Sequence, residues 1–499
     1  MNYLFFDSLL VYPKNPVASP SERYPEYPFD DISSEPNLVY DSIRKMFHAM
    51  KLDSVHYGTS EWNPLGDFVH PGQDVLLKPN FVMHQNGSIH PDDLDSLVTH
   101  PSILRCVLDY CLIAMKGKGR IIVGDAPVKD CDFLLLMKRR GYDKISAFYK
   151  GQGATAIPIE FYDFRGPEEE GGQYQDLGRG VRVNLGKRSF FYDNPHDEQK
   201  YRIPNYDYRK VCKHHHGETQ EYLLNSEVLK ADVIINLPKP KSHRKNGYTG
   251  ALKNFVGANY SKEYLPHHTE GSTERGGDEY QRSDVFNKIA SFTRLWIDIQ
   301  RGKIDTIRRN GNHSFLLSLH QKYQGILGRI YGKMNRADAI WMRTRHASNV
   351  EAAREGTWYG NDTLWRTVLD LNIAILYATK DGTLTDTVQR KIIHLGDMIV
   401  SGDHEGPLAP TAKEQHMLLF SDNAVEFDCI VTRIMGFDAQ KLVGLHNAID
   451  TPALWSDAYD DVFVSSNDDR CQGLLPGIDY SKVIPPFVAS LGWRGYIEL

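Results

Sequence analysis

Cysteine is scarce and never paired in sequence: Cys106, Cys111, Cys131, Cys212, Cys429 and Cys471 form no Cys-x-x-Cys motif. A disulfide scaffold, a zinc ribbon and a ferredoxin-type cluster motif are therefore unsupported. No run approaches the ~18 consecutive apolar residues of a membrane span. Gly-x-Ser-x-Gly, His-Glu-x-x-His, Gly-x-Gly-x-x-Gly and the Walker loop are also missing, which leaves serine-hydrolase, zincin, simple dinucleotide-enzyme and P-loop readings without support. There is no excess of basic charge. The 58 Lys and Arg against 64 Asp and Glu give a net charge of −6, so no specific nucleic-acid partner is expected. The opening MNYLFFDSLLVYP has no basic stretch and carries Asp7 within its apolar run. It reads as a first strand and not as a signal peptide, so a cytoplasmic location is expected.

What is present is ordinary globular composition, 41% hydrophobic and 24% charged over 499 residues. Short apolar runs at Val75–Leu77, Ile121–Val123, Ile157–Phe161 and Val233–Leu237 read as buried strands. A helical pattern opened by His100-Pro101, and another over Leu134–Arg140, separate them. The expected fold class is α/β, with a mostly parallel sheet built from β-α-β units in two halves and a basic helical insertion. The expected division is an irregular N-terminal arm (1–60), a first α/β half with an anion or cofactor loop (61–281), the insertion (282–350), and a second α/β half with a C-terminal tail (351–499).

The most distinctive text is PKPKSHRKNGYTGALKNFVG, residues 238–257, directly after a buried-type strand. Lys239, Lys241, His243, Arg244 and Lys245 precede the Gly247-Tyr248-Thr249-Gly250 turn, and a helix start follows it. Such a turn can aim backbone N–H groups and the positive helix end at one spot, with Lys253 about a turn inside. Carboxyl ends of strands are where α/β folds place ligand contacts. Lys78, Asn80 and Asp125 close two such strands and join the candidate anion-binding set with Lys241, Gly247, Thr249, Gly250, Asn254 and Glu405. Glu405 lies in Asp403-His404-Glu405-Gly406-Pro407, read as a loop. The alternative for these positions is turn geometry and loop capping. His214-His215-His216 reads as an exposed basic loop or, less simply, a metal site.

ADVIINLPKPKSH followed by GYTGALKNFVG resembles the signature of the domain-of-unknown-function 362 family. VLLKPNFV (75–82), GDAP (124–127) and the stretch from GDHEGPLAP to FDCIVTRIMGFD (402–438) resemble the same family, in order. That family implies no reaction. Residues 232–257 also resemble, locally, the nickel-pincer lactate racemases, in which a histidine precedes the cofactor-bearing lysine by the ten residues that separate His243 from Lys253. This resemblance implies an acid/base role for His243, an anchoring or anion-contact role for Lys253, and His267 or His268 as a metal ligand. The racemases' second catalytic histidine has no counterpart here, since GDAP carries none.

From 282 to 346 the sequence holds thirteen Lys or Arg against four Asp, with apolar residues at helical spacing. This block is either a solvated helical face or a docking surface for a polyanion or a lipid surface. The combined expectation is an enzyme of isomerase-like or group-transfer type acting on a small anionic, phosphorylated or carboxylated molecule. A divalent metal or a lysine-linked cofactor is a further possibility. The alternative is a non-catalytic protein docking an anionic partner through the basic block.

Overall fold

The computed structural model describes the chain except residues 152–156, 167, 171–172, 176–177, 310–314, 345–347 and 349, and except the side chains of 168–170, 173–175, 309 and 343. The elements that position the site are, in chain order, strands β1 (Asn2–Phe6), β2 (Asp74–Pro79), β3 (Arg120–Asp125), β4 (Ile159–Asp163), β5 (Val233–Leu237), β6 (Lys241–His243), β7 (Gly247–Thr249), β8 (Lys391–Glu405), β9 (Ala409–Ser421), β10 (Phe463–Ser466) and β11 (Gly473–Leu474). The helices are α1 (Pro101–Met115), α2 (Phe133–Arg140), α3 (Ala251–Asn254), α4 (Val285–Arg309), α5 (Phe315–Thr344), α6 (Leu364–Tyr377) and α7 (Ala424–Met435).

One large sheet runs β11-β10-β1-β9-β8-β5-β2-β3-β4, with β6 and β7 attached beside β8. The α/β expectation holds: β4, β3, β2, β5 and the start of β8 are mutually parallel, as are β1 and β10. Antiparallel pairing enters through β8 with β9 and β9 with β1. The parallel strands are apolar on both faces because each face is covered. Leu76, Ile122 and Ile234 enter one core, while Val75, Leu77, Ile121, Val123, Val233 and Ile235 enter the other. Pro101 at the first turn and His100, accepting from the Ser102 N–H, start α1 as the sequence suggests.

Three sequence readings change. Asp403-His404-Glu405 is not a loop: it ends the 15-residue strand β8, which pairs with β9 through Glu405 opposite Ala409. A register shift between Met398 and Val400 interrupts the period-2 alternation that would have revealed a strand. The strand expected at 157–161 lies at Ile159–Asp163. His214–His216 is no exposed loop, since His214 ends a short helix and His215 is buried, held by Gln220 and the Tyr264 carbonyl.

Most of the 282–346 block lies in α4 and α5, and its residues 310–314 and 345–346 fall outside the described residues. The two helices run antiparallel: His320 meets Gln300 near one end, and Arg282 bonds Asp338 near the other. Among the described residues, no helix is long and apolar enough to cross a membrane.

Candidate functional site

Four lysines lie at one edge of the sheet: Lys78 near the carboxyl end of β2, Lys239 in the segment after β5, Lys241 at the start of β6 and Lys253 in α3, while β3 ends in Asp125. They do not share one chemistry. Lys78 is fully buried with its Nζ 2.6 Å from Asp125 Oδ1. The other oxygen of Asp125 accepts the Phe81 N–H at 2.6 Å. A Cβ on Gly257 would stand 1.7 Å from Asp125 Oδ1, so glycine is required for that carboxylate to approach the backbone. Lys239 repeats the arrangement with Asp397 at 3.1 Å, the Tyr12 hydroxyl donating to Asp397 and accepting from Lys239. Burial pushes both lysines down, and each carboxylate pulls its partner back up.

Lys241 has no carboxylate. Its Nζ donates to the Leu97 carbonyl at 2.5 Å and to Asn80 Oδ1 at 2.9 Å. Burial, then the charges of Lys239 and Lys253, hold it well below the usual lysine range. The Asn80 amide donates to Asn254 Oδ1, and Asn254 donates to Asn236 Oδ1 and to the Lys78 carbonyl. Lys241, Asn80 and Asn254 thus form a buried hydrogen-bonded chain that ties α3 to the strand ends.

The glycine turn behaves differently from the sequence reading. Gly247 sits at φ +77°, which glycine adopts without strain, and its Cβ position is filled by Leu442 at 2.4 Å. Gly250 opens α3, but the N–H groups there already have an anion. Asp428 of α7 accepts from Ala251 N at 2.5 Å, from Leu252 N at 3.2 Å and from the Tyr248 hydroxyl at 2.8 Å. A Cβ on Gly250 would lie 2.0 Å from Asp428 Oδ1. The chain's own carboxylate therefore caps the turn that the sequence offers to a ligand. Burial pushes Asp428 up to about 7, against its hydrogen bonds.

Charge without an ion pair among the described residues lies beside this turn. Lys253 is half-buried, and among the described residues its Nζ makes no hydrogen bond or ion pair. Burial, then Lys262 and Lys245, lower it to about 7. The Lys245 ammonium is shut off from solvent and has no hydrogen-bond partner among the described residues. Burial lowers Lys245 to about 8, although Glu355 opposes that shift. Among the described residues Lys262 donates only to the Ala126 carbonyl at 2.9 Å, and burial takes it to about 8 with Asp125 opposing.

His243 belongs to the same cluster. Its Nδ1 accepts the backbone N–H of Lys245 at 3.0 Å and of Asn246 at 3.1 Å. Nδ1 is therefore the acceptor of a neutral imidazole, and Nε2 carries the proton. Burial, then the charges of Lys253 and Arg244, keep it well below the ordinary histidine value.

The remaining candidates divide. His267 lies near the cluster, its value depressed by burial and then Lys245, and its Nδ1 donates to the Leu265 carbonyl. His268 is buried in a two-residue strand, its Nδ1 without a hydrogen-bond partner among the described residues. Among the described residues, no three His, Cys, Asp or Glu side chains gather as a metal site would require. The Thr249 hydroxyl is buried and without a hydrogen-bond partner among the described residues. Glu405 points elsewhere, accepting the Leu491 N–H of the C-terminal segment at 2.8 Å. Sequence reasoning missed Asp397, Asp428 and Lys262. Asp428 stood inside a quoted family stretch, as an acidic residue amid the apolar positions of a helix, and that was its one visible signal.

Comparison with known proteins gives a family and no reaction. A solved crystal structure of a protein from Thermotoga maritima is 10% identical, with a TM-score of 0.26, over 75% of this chain and 54% of that one. The chain thus spans about half the length of that protein, and a likeness of this size carries no argument. No curated protein matches. The model of the domain-of-unknown-function family DUF362 matches residues 75–170 and 195–433, which include β2 from Val75 on, β3, the 238–257 segment and Asp428. The chain belongs to the DUF362 family.

Proposed function

We propose that the protein is an enzyme acting on a small anionic substrate, phosphorylated or carboxylated, held by Lys245, Lys253 and Lys262 at the carboxyl edge of the sheet. The observation that carries this reading is that Lys253 and Lys245 have no hydrogen-bond or ion-pair partner among the described residues. Buried cations are normally paired, and the same edge pairs Lys78 and Lys239 with carboxylates of their own. A ligand anion is the partner that the second set lacks.

The residues suggest a division of labour that differs from the simplest sequence expectation. His243 suits hydrogen-bond donation through Nε2 better than proton abstraction, because protonating Nδ1 would turn it against two backbone N–H donors. A neutral imidazole in this role stabilises negative charge developing on a substrate oxygen. Lys253, near neutrality, is the better proton carrier: its free amine takes a proton from substrate carbon or oxygen and becomes the ammonium that returns it. Isomerase-like proton transfer fits this pair, and group transfer fits the anion cradle equally.

The test is isothermal titration calorimetry with inorganic phosphate, pyrophosphate and a panel of small carboxylates. At least one should bind the native protein, and Lys253→Met should weaken it by at least about tenfold with the fold retained. Absence of binding by every anion, or equal binding by the variant, would overturn the reading.

A further inference from the structure

Large exposed apolar side chains concentrate on α4 and α5. On α4 they recur at Val285, Ile289, Phe292 and Trp296, with Phe292 62% exposed. On α5 they recur at Leu316, Leu319, Tyr323, Ile326 and Ile330, and Ile340 extends the row. Spacings of three and four place each set on one helix face. These are the faces turned from the body of the protein. On α4, Arg294 and Asp298 point inward to Asn205, and Gly302 packs on Asp207. On α5, Tyr331 reaches Glu355 and Asp338 reaches Arg354.

The charges are sorted as well. Every acidic residue between 282 and 346 is paired: Asp284 with Arg282, Asp298 with Arg294, Asp305 with Lys129, and Asp338 with Arg282 and Arg354. The cations beside the apolar rows are exposed and have no such partner among the described residues: Lys288, Lys303, Lys322, Arg329, Lys333 and Arg336. Lys322, Arg329 and Arg336 are spaced by seven and form a basic row directly alongside the apolar one. The outer side of the hairpin therefore presents apolar side chains bordered by cations alone.

We propose that this side of the α4–α5 hairpin docks on an anionic lipid bilayer, its aromatic and aliphatic rows entering the headgroup boundary and its Lys and Arg contacting lipid phosphates. The charge pattern selects this occupant. An apolar face bordered by unopposed cations is the composition of an interfacial helix, and a second copy placed face to face would set like charges against each other.

The experiment is co-sedimentation of the full chain with phosphatidylcholine vesicles and with vesicles that also contain phosphatidylglycerol. The protein should pellet with the mixed vesicles, remain in solution with phosphatidylcholine alone, and be released by high salt. Arg329→Glu/Lys333→Glu/Arg336→Glu should reduce partitioning on the order of a hundredfold. Phe292→Ser/Trp296→Ser should reduce it separately, with both variants keeping the native circular dichroism and anion titration. Native protein that ignores both vesicle types, or variants that bind as the native chain does, would overturn the proposal. A native dimer that Phe292→Ser/Trp296→Ser converts to monomer, without vesicle binding, would assign the face to a second copy and equally overturn it.

Discussion

Two sets of lysines occupy the same edge of one sheet and meet opposite fates. Lys78 and Lys239 are fully buried, and each has a carboxylate within 3.1 Å. Lys245, Lys253 and Lys262 are half-buried, Lys262 and Lys245 both lower Lys253, and among the described residues none of the three has a carboxylate in ion-pair contact. The first set closes strand ends that no water could otherwise satisfy. The second stands without an ion pair among the described residues. Pairing, more than burial, separates the two sets, and each half of that statement can be broken.

The largest effect should come from unpairing the first set. Asp397→Ala strands the Lys239 ammonium, the Tyr12 hydroxyl and the His100 N–H, all of which it serves now. Asp125→Ala strands Lys78 and the Phe81 N–H. Removing one partner of a buried pair costs about 3–5 kcal/mol, so urea unfolding should show each variant losing that much. A loss below ~1 kcal/mol would mean that these lysines are not held by their carboxylates, and the comparison would collapse.

Next in size is Asp428→Ala, which leaves two backbone N–H groups and the Tyr248 hydroxyl without their acceptor. About 2–3 kcal/mol should be lost. The pH dependence has a definite sign. Asp428 stands at about 7 in the fold against 3.8 ordinarily, so its contribution is complete below pH ~4 and is lost as pH rises through about 7. Unfolding curves between pH 5 and 8 should therefore fall less steeply in Asp428→Ala than in the native chain.

How much of this was legible follows from distance along the chain. The strands at Val75–Leu77, Ile121–Val123 and Val233–Leu237, and the capped start of α1, are written in consecutive residues, and the fold class follows from their order. Lys253 and His243 could be singled out because one short loop carries both. Asp428 could not be placed against Gly250 by any local rule, since 177 residues separate it from Ala251. The same gap misdirected the glycine turn: glycines, a helix start and cations signal an anion correctly, but sequence alone does not say whether the anion is a ligand or an aspartate of the same chain.

Lys253→Met sharpens the comparison from the other side. Taking a desolvated and unpaired cation out of the fold should raise stability by about 1 kcal/mol in anion-free buffer, the reverse of the Asp397 result. Lys253, Lys245 and Lys262 are depressed to about 7, 8 and 8 from 10.5. Their contribution is present above pH ~10.5 and lost as pH falls through those values, so the native chain should gain stability between pH 7 and 10. Lys253→Met should flatten that rise, and a bound anion should flatten it in the native chain.

The smallest expected effect is informative because the sequence placed Glu405 in the same candidate set. Its carboxylate accepts the Leu491 N–H at a partly exposed position, and Leu491 lies 86 residues away on the C-terminal segment. Glu405→Ala should cost about 0.5–1 kcal/mol, the net worth of one such bond, measured by urea unfolding. Anion titration of the variant should match the native chain, because nothing about Glu405 touches the unpaired lysines. If the titration weakens instead, the cationic cluster reaches across the β8 end and the C-terminal segment becomes a wall of the site. The border between paired and unpaired charge would then move by one strand.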